Sequence, residues 1–127
     1  MEREGVLNMT QDYISYIRSK VGHDKVILTF AGGILTDKDG RVLLQLRGDK
    51  KTWAIPGGAM ELGESTLDTA KREFFEETGI KVQATRFLNV YSDFEEVYPN
   101  GDKVQTVVFI YELAAVSPVN ISDFHNE

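Results

Sequence analysis

The sequence predicts a mixed α/β (α+β) domain, and three observations carry that prediction. Two apolar, strand-like stretches at 26–36 and 41–47 flank Asp37-Lys38-Asp39-Gly40, a run whose composition favours a hairpin turn. An amphipathic stretch at 66–78 follows Ser65, a good helix-starting residue, and stops at Gly79, a good helix-ending one. A further run at 104–112 is β-branched and aromatic enough for a central strand.

Taken in order, Thr10 is expected to cap a first, packing helix. Tyr13, Ile14, Ile17 and Val21 form its apolar stripe and Gly22 ends it. In the strand that follows, Gly32-Gly33 marks a bulge or a close approach of another chain segment. Trp53-Ala54-Ile55-Pro56-Gly57-Gly58 reads as a loop, because Pro56 and the glycines break regular structure and leave backbone groups accessible. Strand-like residues return at 80–91, a turn is expected over Tyr98-Pro99-Asn100-Gly101-Asp102, and the pattern fades after Ala115.

At 127 residues, 42% hydrophobic and 27% charged, the chain suits one globular domain, 1–127, with an N-terminal helical segment (1–24) and a core (25–115). A net charge of −6 argues against long nucleic acid as a partner, which requires basic residues to neutralise phosphates. Small polyphosphates stay open, since divalent cations can stand between carboxylates and phosphate oxygens. The longest apolar stretch, 26–35, is too short for a membrane helix, and the first residues lack a signal-peptide pattern, so a cytoplasmic location is expected. Without cysteine there can be no disulfides, thiolate metal sites or cysteine nucleophiles.

The chemistry concentrates on the 66–78 helix. At 100° per residue, Glu73, Glu76 and Glu77 share a face, while Leu67, Ala70 and Phe74 share the adjoining one. Carboxylates at this spacing repel, by about 0.2–0.5 kcal/mol per close pair. A solvated helix face is one reading of such a trio. The other is an oxygen-rich site for Mg²⁺ or Mn²⁺, to which the preceding Pro-Gly-Gly run and the further acids Glu61 and Glu64 lend weight.

The segment from Gly58 to Ile80 resembles the Nudix signature: Gly58, then Glu64, then Arg72-Glu73-Phe74-Phe75-Glu76-Glu77-Thr78-Gly79-Ile80 at that family's spacing. A chance match in a chain this long is rarer than roughly one in a million. The wider resemblance runs from Val26 to Glu112.

That resemblance implies a Nudix-like α/β/α sandwich around a mixed β-sheet. It also implies that the family's C-terminal strand and covering helix are absent or truncated here, leaving a face for the N-terminal helix or a second copy in a homodimer to cover. It makes Glu73, Glu76 and Glu77 metal-binding carboxylates, with the Gly58 carbonyl as a further ligand. Arg72 would orient the glutamates, and Glu64 would support that arrangement through Arg72. The implied reaction is Mg²⁺- or Mn²⁺-dependent attack of water on the pyrophosphate of a nucleoside diphosphate linked to another group, such as ADP-ribose, a nucleoside triphosphate or a dinucleotide. A nucleotide-binding or regulatory domain without turnover is the alternative.

Arg47 ends the second strand where similar enzymes carry a cationic phosphate contact, and is either that contact or an ordinary exposed arginine. The resemblance sets the Gly57 and Gly58 backbone beside the substrate, and Trp53 either stacks on a base or packs beneath the loop, with packing slightly favoured. Glu112, Asp123 and Glu127 are candidates for a further acidic group. Asp93, Glu95 and Glu96 form a second acidic cluster that either contacts metal or substrate or, the favoured reading, is a solvated loop. The base or sugar would be held by the N-terminal segment and a loop over 92–102. His23 and His125 lie outside any ligand-like spacing and read as surface or capping residues.

Overall fold

The computed structural model describes residues 12–47 and 52–117. Helix α1 (Tyr13–Val21) is capped by Asp12, whose carboxylate accepts the Ser15 N–H at 2.8 Å; the expected cap, Thr10, lies outside the described residues. Gly22 ends the helix at φ 65°, as its missing Cβ allows. The stripe of Tyr13, Ile14, Ile17 and Val21 is half-buried, and no α1 residue is fully buried. The helix therefore does not replace a covering layer on the sheet. It is held by polar contacts: Arg18 donates to the Lys103 carbonyl at 2.7 Å and the Asp24 carbonyl at 2.7 Å, and the Tyr13 N–H to Glu61 at 2.8 Å.

Strand β1 (Val26–Leu35) is followed by the expected turn, with the Asp37 N–H bonded to the Arg41 carbonyl at 2.9 Å. The hairpin is shorter than expected. It is held by the Thr36–Val42 bridge and the Leu43 N–H to the Leu35 carbonyl, after which the chain leaves β1 and forms β2 (Gln45–Arg47). β2 pairs instead with β3 (Thr52–Ala54), as a separate two-stranded ribbon. The reason is competition for one edge: β4 (Gly57–Ala59) occupies β1, setting Ala59 opposite Phe30 and Gly57 opposite Gly32. The stretch expected as a loop from Trp53 to Gly58 thus contains parts of two short strands, separated at Pro56.

Gly32 and Gly33 mark close approaches, not a bulge, since β1 pairing runs through both without a register shift. A Cβ on Gly32 would lie 2.7 Å from the Pro56 carbonyl oxygen. One on Gly33 would lie 2.1 Å from a Leu113 methyl carbon.

Helix α2 (Thr66–Thr78) has the expected limits, because its end signals are local. Ser65 and Asp68 form a reciprocal capping box, and Gly79 closes the helix in the left-handed region at φ 77°. Strands β5 (Val82–Val97) and β6 (Lys103–Ala115) form a long antiparallel hairpin, and β6 runs parallel to β1 from Val26–Val104 to Leu35–Leu113. The sheet order β4-β1-β6-β5 is mixed, with β6 central as its composition predicts.

The expected loop over 92–102 is strand as far as Val97; the turn is confined to Tyr98–Gly101, where the Tyr98 N–H meets the Asp102 carbonyl at 2.8 Å. The acids Asp93, Glu95 and Glu96 sit on this strand, which tolerates them because β5 is a sheet edge with exposed side chains. Three register shifts along β5 bend it between Ala84 and Phe94.

The core lies between α2 and the sheet. Phe74 and Ala70 are fully buried, and Phe74 packs with Leu35, Leu43, Ile80, Val82 and Leu113. Burying a side chain of this size contributes about 2–3 kcal/mol relative to exposing it. The helix is thereby fixed in rotation, and its acidic face is fixed with it.

Candidate functional site

Arg72 organises this acidic face. Its Nε and Nη2 form a fork on Glu64, at 2.5 and 3.0 Å, its Nη1 donates to Glu73 at 2.9 Å and to Glu76 at 3.3 Å, and Nη2 also meets the Ala59 carbonyl at 3.0 Å. A planar five-donor group can hold three carboxylates and a carbonyl at once; an ammonium cannot. The mutual hydrogen bonding keeps the Arg72 guanidinium charged well beyond its ordinary range. Burial alone would raise the Glu64 carboxyl, but bonds from Arg72, the Glu61 N–H and Thr69 outweigh it and hold Glu64 below the usual carboxylate range. Glu64 is therefore an anion built to anchor Arg72.

Glu77 stands apart from that network. Its Oε1 accepts the Gln45 side-chain amide at 2.7 Å and the Gly57 N–H at 3.0 Å. Partial burial, followed by the neighbouring Glu73 carboxylate, pushes its carboxyl up to about 7. Two acids are crowded here. Gly58 completes the arrangement, because the Glu73 carboxyl carbon lies 2.3 Å from where a Gly58 Cβ would stand. Only glycine lets the β4 backbone come that close to the glutamate.

The structure thus brings together Gly57, Gly58, Glu64, Arg72, Glu73, Glu76 and Glu77. Among the described residues the three α2 glutamates are not closed into a cation cage. Each keeps one oxygen on a protein donor: Glu73 Oε2 and Glu76 Oε1 on Arg72, and Glu77 Oε1 on Gln45 and the Gly57 N–H. The available ligand set is all oxygen, which suits Mg²⁺ or Mn²⁺ and not Zn²⁺.

Other expected residues lie elsewhere. Arg47 ends β2 opposite Thr52. Trp53 is 56% exposed on β3, so it does not pack beneath the strand as favoured; a two-stranded ribbon offers no core for it. Glu112 accepts from Thr85 at 2.6 Å and from Arg86 at 3.4 Å, which hold it below the usual carboxylate range. Asp123, Glu127 and His125 lie outside the described residues. Glu95 is ion-paired with Lys25, and His23 Nδ1 lies in hydrogen-bond contact with Asp102 Oδ1 at 2.6 Å. Gln45 was not anticipated; the available signal was a polar side chain amid the apolar residues Val42, Leu43, Leu44 and Leu46.

Beside Gly57 and Gly58 a recess of about 290 Å³ opens on the sheet, lined by Phe30, Ile55, Phe94, Val108 and Ile110, with Thr106 as its polar side chain. It is apolar and lies next to the acidic cluster.

The NUDIX domain pattern matches residues 29–127. The chain belongs to the Nudix family. This Nudix chain is 41% identical over 61 residues to a MutT-like protein of Streptomyces ambofaciens, covering 48% of the chain and 40% of that relative. It is 32% identical over 104 residues to an ADP-ribose pyrophosphatase of Methanocaldococcus jannaschii, covering 80% of the chain and 55% of the relative. The chain therefore spans about half the length of these relatives. The crystal structure of a MutT protein from Methanosarcina mazei superposes with a TM-score of 0.60 at 27% identity, over 82% of this chain and 75% of the other. Among the described residues no helix is long and apolar enough to cross a membrane.

Proposed function

We propose that this Nudix chain hydrolyses the pyrophosphate bond of a nucleoside diphosphate linked to another group, using Mg²⁺ or Mn²⁺ held by Glu73, Glu76, Glu77 and the Gly58 carbonyl. The observation that carries the reading is the Arg72 network: one guanidinium gathers Glu64, Glu73 and Glu76 beside the Gly58 backbone. A purely solvated helix face needs no such support, and would shed its repulsion by spreading its acids apart. The divalent metal would supply charge neutralisation on phosphate oxygens and a more acidic attacking water.

The protein's own groups do the rest. Arg72 restrains two glutamates without neutralising all their oxygens, and Gln45 with the Gly57 N–H restrains the third. The crowded Glu73–Glu77 pair supplies the acceptor for the proton of the attacking water. The apolar recess beyond Gly57 suits a nucleobase, with Phe94 and Phe30 offering ring faces. The ADP-ribose pyrophosphatase among the relatives makes ADP-ribose the first substrate to try. Arg47 and the exposed Trp53 are the proposed phosphate and base contacts on the β2–β3 ribbon, and the cytoplasm is the proposed compartment.

A screen over nucleoside diphosphate derivatives with Mg²⁺, reading the nucleoside monophosphate formed when the pyrophosphate bond is cut, tests the reading. Metal-dependent turnover that collapses in Glu76→Gln and Glu77→Gln is the expected result. Absence of turnover on every substrate would overturn the activity, and full activity in both variants would overturn the site.

A further inference from the structure

Gln45 is a side chain from outside the Gly58–Ile80 segment that the structure brings onto an α2 glutamate. It comes from β2, a strand of the separate ribbon, and its amide meets Glu77 Oε1 at 2.7 Å. The Gly57 N–H, from β4, reaches the same oxygen at 3.0 Å. Two donors from two different sheets therefore converge on one carboxylate oxygen. A glutamate side chain has three rotatable bonds and loses rotamer freedom when fixed, so an unrestrained Glu77 would bear that entropic cost at the moment of ligand binding.

The chemical type of the donor matters. Arg72 restrains Glu73 and Glu76 with positive charge, which competes with any cation for their negative charge. An amide donates a hydrogen bond and carries no net charge, so it orients Glu77 without adding a positive charge that would compete with a cation. Both donors fall on Oε1 of Glu77, so the restraint acts through one of its two oxygens.

We infer that Gln45 is a positioning residue, which holds Glu77 by Oε1 in the rotamer that offers Oε2 to the divalent cation. The inference rests on the reading of Glu73 and Glu77 as cation ligands, and it adds a residue from outside the signature segment. It also makes the β2–β3 ribbon, with Arg47 and Trp53, a structural part of the cation site: ribbon and helix are joined through this hydrogen bond.

The test is Mn²⁺ binding to the full chain without substrate, followed by electron paramagnetic resonance or calorimetry, for wild type, Gln45→Met, Gln45→Asn, Glu73→Gln and Glu77→Gln. Methionine keeps the length and loses the donor; asparagine keeps the amide and loses the reach. Both Gln45 variants are expected to weaken Mn²⁺ about 10-fold or more, as loss of a partner behind a metal ligand does. Their melting temperatures without metal should stay within a few degrees of wild type, and saturating Mn²⁺ should recover most of kcat. Wild-type Mn²⁺ affinity in either folded Gln45 variant, with weakened binding in Glu73→Gln and Glu77→Gln, would overturn the role of Gln45 alone. Wild-type affinity in both glutamate variants would overturn the cation site itself, and the Gln45 inference with it.

Discussion

Both carboxylate oxygens of Glu73 lie 2.5 Å from the point a Gly58 Cβ would occupy. That contact is far inside van der Waals range, so a Gly58→Ala protein cannot keep Glu73 where it is. The displaced group is the end of a flexible side chain, so Glu73 gives way and the backbone stays. The expected outcome is a loss of kcat/KM of at least about 10-fold, with a melting temperature within a few degrees of wild type. Near-normal turnover by Gly58→Ala would show that the position of Glu73 does not matter to the reaction.

Arg72→Lys separates charge from geometry. Lysine keeps one positive charge but has no fork, so it cannot hold Glu64 through two bonds while reaching Glu73 and Glu76. Leaving part-buried Glu64 short of donors costs about 1–3 kcal/mol, and the released glutamates should lower kcat by roughly 100-fold. Denaturant melts and steady-state kinetics on the same preparation check both; a fully active, equally stable lysine variant would contradict this role for the fork.

The Glu77 carboxyl, raised to about 7 chiefly by burial and then by Glu73, makes the metal-free protein pH-sensitive. The unfolded chain releases this proton near the ordinary glutamate value, while the folded chain keeps it until about 7. The folded state therefore binds more protons between those values, so its advantage is present below them and is lost as pH rises through 7. Glu77 as a residue remains solvent-exposed, so screening keeps the effect small, on the order of 1–3 °C in melting temperature. Chelated wild type should melt lower at pH 8 than at pH 5.5, and Glu77→Gln should narrow that difference. A difference unchanged by Glu77→Gln would assign the pH effect to other groups.

Gly32→Ala tests the scaffold in place of the site. Its Cβ would meet the Pro56 carbonyl oxygen at 2.7 Å, and that oxygen already accepts the Gly33 N–H at 3.2 Å. Backbone atoms on both sides must move, so the cost should be about 1–3 kcal/mol. A thermal melt several degrees below wild type is expected; an unchanged melt would mean β1 and the Pro56 segment are not locked together.

What could be read from sequence follows from how local each determinant is. The limits of α2 were legible because Ser65, Asp68 and Gly79 act within one turn of the residues they cap. Phe74 and Ala70 were legible as the packing face because periodicity is intrinsic to a helix. The hairpin after β1 was over-extended because β4, which takes the competing edge, sits beyond the ribbon in sequence. Strand β5 was cut short at its acids, since Asp93, Glu95 and Glu96 look like loop until pairing with β6 sets them on an exposed edge. The site divides the same way: Arg72, Glu73, Glu76 and Glu77 share one helix, whereas the contact of Gln45 with Glu77 spans 32 positions and leaves no spacing to recognise.

The parallel pairing of β1 with β6 reaches across most of the chain, and every proposed ligand lies inside the loop it closes. Bringing such distant strands together costs loop entropy before any contact rewards it, so this pairing belongs to the late, slow part of folding. The hairpin of β5 and β6 and the helix α2 can form from neighbours alone, but the Gly58 backbone meets Glu73 only when β4 has docked on β1 and α2 has docked on both. Arg72 can pair with Glu73 and Glu76 within α2 itself, but Glu77 gains Gln45 and the Gly57 N–H only once ribbon and sheet are in place, so the proposed site is completed by the finished fold.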